Sequence, residues 1–175
     1  MGARGAKQKQ KLLYLAKIML EKTDDKHGLK VNEIIALLDQ YDITAERKSI
    51  YSDLEALTDF GIEILTEKVG RSYTYHVGSR QFELAELKML VDTVQASKYI
   101  TEKKSRQLIK KLEGLVSEYE AKMLQREVHV QDRIKTMNET VFYNVDTIQQ
   151  AIFENKQIMF NYYQWNLKKE MVLQG

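Results

Sequence analysis

The feature that most constrains this chain is a change in the spacing of its apolar residues near Gly61. Before Gly61, three segments repeat apolar residues every three or four positions, which is the spacing of amphipathic helices. After it, residues 72–77 alternate polar and apolar side chains, which is the spacing of a β-strand. The chain contains no proline to interrupt the helices. The sequence therefore predicts three short helices followed directly by strands.

The connections between the three helical segments are short. The apolar stripes cover residues 9–22, 31–40 and 44–60, and three residues, 41–43, separate the second stripe from the third. Thr44 is of a residue type that caps helix N-termini, so the third helix is predicted to begin there. Two helices joined by a turn of three or four residues form a helix-turn-helix, and the first helix completes its core.

Residues 62–77 are predicted to form a β-hairpin with Gly70 at its tip. A short hairpin placed directly after the third helix of such a unit is typical of a wing. We therefore predict a winged helix-turn-helix domain over residues 1–80, and double-stranded DNA as its ligand.

The third helix is predicted to present a polar face opposite its apolar stripe. Ile50, Leu54 and Leu57 recur at helical spacing, which leaves Lys48 and Ser52 on the opposite side. Small side chains let a helix enter the major groove, and a lysine there can donate to guanine O6 or N7. The candidate DNA-binding residues of this helix and its start are Thr44, Arg47, Lys48, Ser49, Tyr51 and Ser52.

The hairpin supplies three further candidate DNA-binding residues, Lys68, Arg71 and Tyr73. Lys68 and Arg71 bracket its tip, where they are predicted to clamp phosphate or to enter the minor groove. Arg47 and Tyr51 are expected to contact the DNA backbone, which positions a protein without reading bases. The same polar residues also fit an ordinary solvated face, in which case the domain is a protein-interaction module.

Positive charge is concentrated at the start of the chain. Residues 1–11 hold four basic groups and no acid, whereas residues 12–63 hold six basic and eleven acidic groups. The net charge is only +2, so the protein is expected to touch a polyanion at a few points. A basic arm on DNA and a solvated terminus are both compatible with this pattern.

The remainder of the chain divides into a helical part and a mixed part. Residues 81–140 show two helical seams, the second running from a cap at Thr101 to Met123. Two helices alone enclose no core, so they are expected to pack on the first domain, on a second subunit, or on both. Residues 141–175 predict a helix over 146–154 and two strands near 157–165 and 168–173, and an isolated hairpin is marginal in water.

The order of these segments resembles the bacterial transcriptional regulators with a WYL domain. The runs that carry the resemblance are ERKSIYSDLEAL at 46–57, FELAELKML at 82–90, FYNVDTI at 142–148 and IMFNY at 158–162. The resemblance implies a winged DNA-binding domain, a helical dimerisation segment over 81–140, and an Sm-like β-barrel that senses a nucleotide or nucleic acid. Only the start of that barrel, residues 141–175, is expected here, without the motif that names the family.

No pattern in the sequence indicates catalysis or a bound metal. There is no cysteine, the three histidines lack zinc spacing, and no serine has a recognisable histidine and aspartate beside it. We expect no enzyme activity, cofactor or metal, although an enzyme acting on nucleotides is a rival hypothesis. No signal peptide or membrane span is predicted, so a cytoplasmic location is expected.

The sequence thus predicts a mainly helical α+β protein that binds duplex DNA as a homodimer on two half-sites.

Overall fold

The computed structural model describes residues 2–127 and 135–174, which contain seven helices and four strands. It confirms the mainly helical α+β class. Both of its sheets are antiparallel and two-stranded. In chain order the elements are α1 (Gly2–Lys22), α2 (Val31–Asp39), α3 (Arg47–Phe60), β1 (Ile64–Val69), β2 (Ser72–Val77), α4 (Leu84–Ala96), α5 (Glu102–Glu113), α6 (Glu118–Glu127), α7 (Thr140–Phe153), β3 (Tyr162–Trp165) and β4 (Met171–Gln174).

The described residues form two compact units. The first comprises residues 2–97 and 103–127, and the second comprises residues 98–102 and 135–174. The first unit takes in α4, α6 and α5 from residue 103 onward, in addition to the segment predicted as the winged domain.

The core of the first unit lies between α1, α2, α3 and β2. Its members come from the predicted stripes, and Ile50, Leu54 and Leu57 of α3 are all buried, as expected. Burying each side chain of this size stabilises the fold by about 1.5–3 kcal/mol. The other buried members are Leu15, Ile18, Met19, Val31, Ile34, Leu38, Ile43 and Val77.

The start of α1 differs from the prediction. The helix begins at Gly2 rather than near Lys9, so the basic segment, residues 2–11, has a helical backbone. One of the four basic groups, Lys11, is buried within the first unit.

The connection between α2 and α3 is longer than predicted. The prediction that Thr44 caps α3 is wrong, because α3 begins at Arg47 and Glu46 occupies the N-cap position. The reason is Ile43, which is buried in the core and whose amide donates to the Leu38 carbonyl at 3.1 Å. The chain must carry Ile43 inward before it can turn into α3, and it uses a left-handed Asp42 with φ of 56° to do so.

The end of α3 at Gly61 is confirmed. Gly61 adopts a φ of 107°, a left-handed conformation that ends many helices, and the amide of Ile62 bonds back to the Leu57 carbonyl at 2.9 Å. The chain then turns directly into β1.

The hairpin β1–β2 has the predicted glycine tip. Val69 pairs with Ser72 across a two-residue turn, in which Gly70 has a φ of 63°. Glycine at the first turn position fits a II′ hairpin turn. The second strand is also tied to the helices, because Leu29 and Tyr75 exchange two backbone hydrogen bonds of 2.9 and 2.8 Å.

The helical segment after the hairpin is broken where one long helix was expected. The predicted seam from Thr101 to Met123 is divided between α5 and α6 by Gly114 and the residues after it. Ser117 caps α6 through a bond from the Glu120 amide to its Oγ at 3.1 Å. The break lets three helices enclose a second core of Leu87, Val91, Ile109, Val116 and Leu124.

The segment also packs on the three-helix part of the first unit, one of the arrangements expected from the sequence. Lys22 of α1 and Glu118 of α6 form an ion pair of 2.5 Å, and His27 stacks on Tyr119 with ring centroids 3.8 Å apart. These contacts join the end of α1 to the start of α6.

The second unit consists mainly of α7 and the hairpin β3–β4. The predicted helix over 146–154 begins earlier, at Thr140, and the predicted strand over 157–165 is limited to Tyr162–Trp165. None of residues 135–173 is buried, and Met159 is 99% exposed. The helix and hairpin therefore form no hydrophobic core of their own.

Among the helices that the structure describes, none combines the length and apolar character needed to cross a membrane.

Candidate nucleic-acid interface

The outer face of α3 is exposed, as the predicted binding face requires. Lys48 and Ser52 are both exposed, on the side of the helix away from its buried Ile50 and Leu54. Thr44 is also exposed, but it lies before the helix. The helix thus presents a cation and a hydroxyl one turn apart on an open surface.

The first turn of α3 is electrostatically suited to an anion. It begins with Arg47 and Lys48 and contains no acidic residue, and no side chain caps it. The free amides and the aligned peptide dipoles at a helix N-terminus favour negative charge. Arg47 and Lys48 outnumber the one acid beside them, Glu46 at the N-cap, so this end of α3 favours a phosphate over a cation.

Ser49 is less available than the sequence suggested. It is half-buried, and its Oγ accepts a hydrogen bond from the Lys11 ammonium of α1. Lys11 also forms an ion pair of 2.7 Å with Asp53 of α3. The Ser49 hydroxyl therefore already serves the contact between α1 and α3.

A signal in the sequence could have identified this arrangement. Lys11 stands four residues before the buried Leu15, so it lies on the apolar stripe of α1. Ser49 and Asp53 each precede a buried residue of α3, Ile50 and Leu54. Opposite charges on two buried stripes indicate an ion pair between the helices, because an isolated charge is costly to bury.

A cleft opens between the start of α2, the start of α3 and the hairpin. It has a volume of about 150 Å³. Four predicted DNA-binding residues line it together, whereas Thr44, Lys48, Ser49, Ser52 and Lys68 lie outside it. The full lining is Lys30, Val31, Asn32, Arg47, Tyr51, Arg71, Ser72, Tyr73 and Tyr75.

The lining of the cleft is cationic and aromatic. Lys30, Arg47 and Arg71 contribute three positive charges, and the lining contains no carboxylate. The Arg47 Nε donates a hydrogen bond to the Tyr51 hydroxyl at 3.0 Å, which holds both side chains against the cleft.

Tyr75 forms the inner part of the cleft. Burial raises the pKa of its hydroxyl, nearby Tyr51 adds to the rise, and Arg47 partly opposes it. The phenol therefore keeps its proton at neutral pH and remains a hydrogen-bond donor. Its ring lies 6.2 Å from that of Tyr51, measured between centroids.

Sequence reasoning missed the contribution of α2 to this cleft. Val31 and Asn32 were assigned only to the start of a core helix and Lys30 was given no role, and nothing in their own pattern connects these residues to the hairpin. The connection comes from the backbone bridge between Leu29 and Tyr75, which is a tertiary contact.

A second cavity of the first unit has a different character. It has a volume of about 560 Å³ and is lined by Asp24, Asp25, Glu83 and Glu120, with Arg80 as its basic group. The excess of carboxylates makes it unsuitable for a polyanion.

No metal site is formed by the part of the chain that the structure describes, in which no three His, Asp or Glu side chains are placed to share an ion.

In comparisons with known proteins, no family model, curated protein or solved structure matches this chain.

Proposed function

We propose that this protein binds double-stranded DNA and acts as a transcriptional regulator, with residues 2–80 as a winged helix-turn-helix. The observation that carries the proposal is the surface formed by α3 and the hairpin. The exposed Lys48 and Ser52 lie on α3, and the acid-free cleft with Arg47 and Arg71 lies where α3 meets the hairpin. Base-reading and phosphate-binding groups are the two kinds of contact that duplex recognition requires.

In this proposal, α3 enters the major groove and the hairpin contacts the backbone beside it. Lys48 donates to a guanine edge, and Ser52 contacts a neighbouring base or phosphate. Arg71 and Lys68 of the hairpin neutralise phosphates. Two copies of the chain bind two half-sites about one helical turn, or roughly 34 Å, apart.

The second unit is proposed to belong to a sensing domain that resembles the WYL barrel and responds to a nucleotide or nucleic acid. The support is its sequence resemblance and its many exposed apolar side chains, such as Phe153 and Phe160. Such side chains are normally covered by further structure or by a partner.

Selection of bound fragments from random duplex DNA, followed by affinity measurements at several salt concentrations, tests the function. We expect an enriched sequence, and we expect log affinity to fall linearly with log salt, because the basic side chains that neutralise phosphates release the counterions condensed on the duplex. Lys48→Ala should relax base preference at one position, and Arg71→Ala should weaken all duplexes about equally. Binding that is absent, or insensitive to salt, would leave a protein-interaction role instead.

A further inference from the structure

The cleft between α2, α3 and the hairpin has the size of a small group. Pockets for whole small molecules usually occupy about 300–1,000 Å³, whereas this cleft has about 150 Å³. A base with its sugar is therefore too large for it, and a single compact group fits.

The charge of the cleft selects an anion. Lys30, Arg47 and Arg71 converge on it from three separate elements, the start of α2, the start of α3 and the hairpin tip. Because no carboxylate lines the cleft, these charges are not neutralised from within it. The guanidinium of arginine can bond two oxygens of one phosphate in its plane.

The donors of the cleft also fit a tetrahedral oxyanion. Val31 and Asn32 are the first two residues of α2, so their amides have no acceptor within the helix. Ser72, Tyr73 and Tyr75, which carry hydroxyl groups, belong to the opposite wall. A phosphate group between these walls would meet backbone, hydroxyl and charged donors at once.

The walls of the cleft are held in place before any ligand binds. The bridge between Leu29 and Tyr75 fixes the hairpin to the residue just before the N-cap of α2. Gly28 packs so closely that a Cβ placed there would lie 2.9 Å from the Thr74 Cβ. A fixed cleft binds its ligand without a large cost in conformational ordering.

We propose that this cleft is a site for one phosphate group. The inference rests on the proposed function in one respect, since the phosphate is taken to be a backbone diester of the bound duplex. Inorganic phosphate shares this chemistry, so it occupies the same cleft and competes with DNA.

The test uses the full chain, with inorganic phosphate and a duplex oligonucleotide as separate probes. Two-dimensional NMR at constant ionic strength follows the backbone amides of Val31, Asn32 and Ser72 during titration with phosphate. We expect these amides to shift together and to saturate, and we expect added duplex to displace the phosphate.

Two hairpin variants provide a matched comparison. Arg71→Gln removes a charge that lines the cleft, and Lys68→Gln removes one of equal sign from the same hairpin outside it. Arg71→Gln should lower phosphate affinity roughly tenfold, the usual effect of losing a charged hydrogen bond, while Lys68→Gln should leave phosphate affinity unchanged. Both variants should bind duplex more weakly.

The outcomes separate the two proposals. The phosphate site would be overturned if the amide chemical-shift changes were small, spread over the surface and did not saturate. Equal loss of phosphate binding in both variants would also overturn it. Neither result would affect the proposal of duplex binding. Duplex that binds without displacing phosphate would also overturn the assignment. Saturable phosphate binding without any duplex binding would refute the DNA function and the diester source, and would leave only free phosphate as the ligand.

Discussion

The ion pair between Lys11 and Asp53 joins α1 to α3 through two largely buried side chains. Lys11→Met should lower the free energy of unfolding by roughly 3 kcal/mol, because it leaves the partly buried carboxylate of Asp53 without its partner. Urea unfolding followed by circular dichroism measures the change.

A double variant and an exposed pair act as controls. Lys11→Met combined with Asp53→Leu should recover most of the loss, since no uncompensated charge remains. Lys17→Met should change stability by less than about 0.5 kcal/mol, because its contact with Glu21 is long and solvent-exposed. If the single variants at Lys11 and Lys17 behave alike, the pair does not stabilise the contact between α1 and α3.

Asp24 connects pH to stability. Burial pushes the pKa of its carboxyl up, but hydrogen bonds from Ser117, the Lys26 amide and His27 outweigh burial and leave the pKa below the ordinary 3.8. A carboxyl whose pKa is lower in the folded state contributes stability above the ordinary pKa, and this contribution is lost as pH falls through the folded value.

Asp24→Asn should therefore cost about 1–2 kcal/mol at pH 7, and the difference from the parent should shrink below pH 3.8. Unfolding curves at pH 7, 5 and 3 give the comparison. A difference that stays constant over this range would mean that the charge of Asp24 contributes nothing.

At the scale of elements, the position of the hairpin depends on Gly28. In Gly28→Ala the new Cβ meets the buried Thr74, so β2 must move away from the start of α2. We expect a loss of about 1–3 kcal/mol in stability and weaker duplex binding, because the cleft opens. Thermal unfolding and fluorescence anisotropy with duplex DNA measure the two effects.

Gly114→Ala is the matched control, since its nearest neighbour, the Lys111 carbonyl, is at an ordinary contact distance of 3.4 Å. It should bind duplex like the parent. Equal behaviour of the two alanine variants would show that Gly28 does not set the position of the hairpin.

The elements show where sequence reasoning succeeds and where it fails. The stripe of Ile50, Leu54 and Leu57 was predictable because a helix with one buried face repeats apolar residues at a fixed spacing. The late start of α3 could not be predicted in this way, because it depends on how deeply Ile43 enters the core. The break at Gly114 was missed because the apolar spacing continues through it, and spacing alone does not report a change of helix direction.

At the scale of the molecule, the sequence predicted the surface of α3 but not the cleft beside it. Arg47, Tyr51, Arg71 and Tyr73 were identified one by one from residue type and position. The role of Lys30 required knowing that Leu29 pairs with β2, and such long-range pairings are not encoded in local spacing.

The proposed half-site arrangement makes a prediction for the whole protein. If two copies bind adjacent major grooves, inserting five base pairs between the half-sites of a selected sequence should sharply reduce affinity. Inserting ten or eleven base pairs should restore much of it, because both sites again face the same side of the duplex. Gel-shift titration of the three duplexes tests this, and equal affinity for all three would refute paired binding.

The Ser117 hydroxyl takes part in two contacts that affect the thermal unfolding of the first unit. It caps α6 and also donates to Asp24, just after the end of α1, so the residue that starts α6 is bonded directly to the three-helix part of the first unit. Arg80 reinforces the link, because it donates to the Leu20 and Thr23 carbonyls at 2.8 and 2.7 Å and to the Leu115 carbonyl, just before α6, at 3.5 Å. Calorimetry should consequently record a single endotherm for α1 to α6, with equal calorimetric and van't Hoff enthalpies.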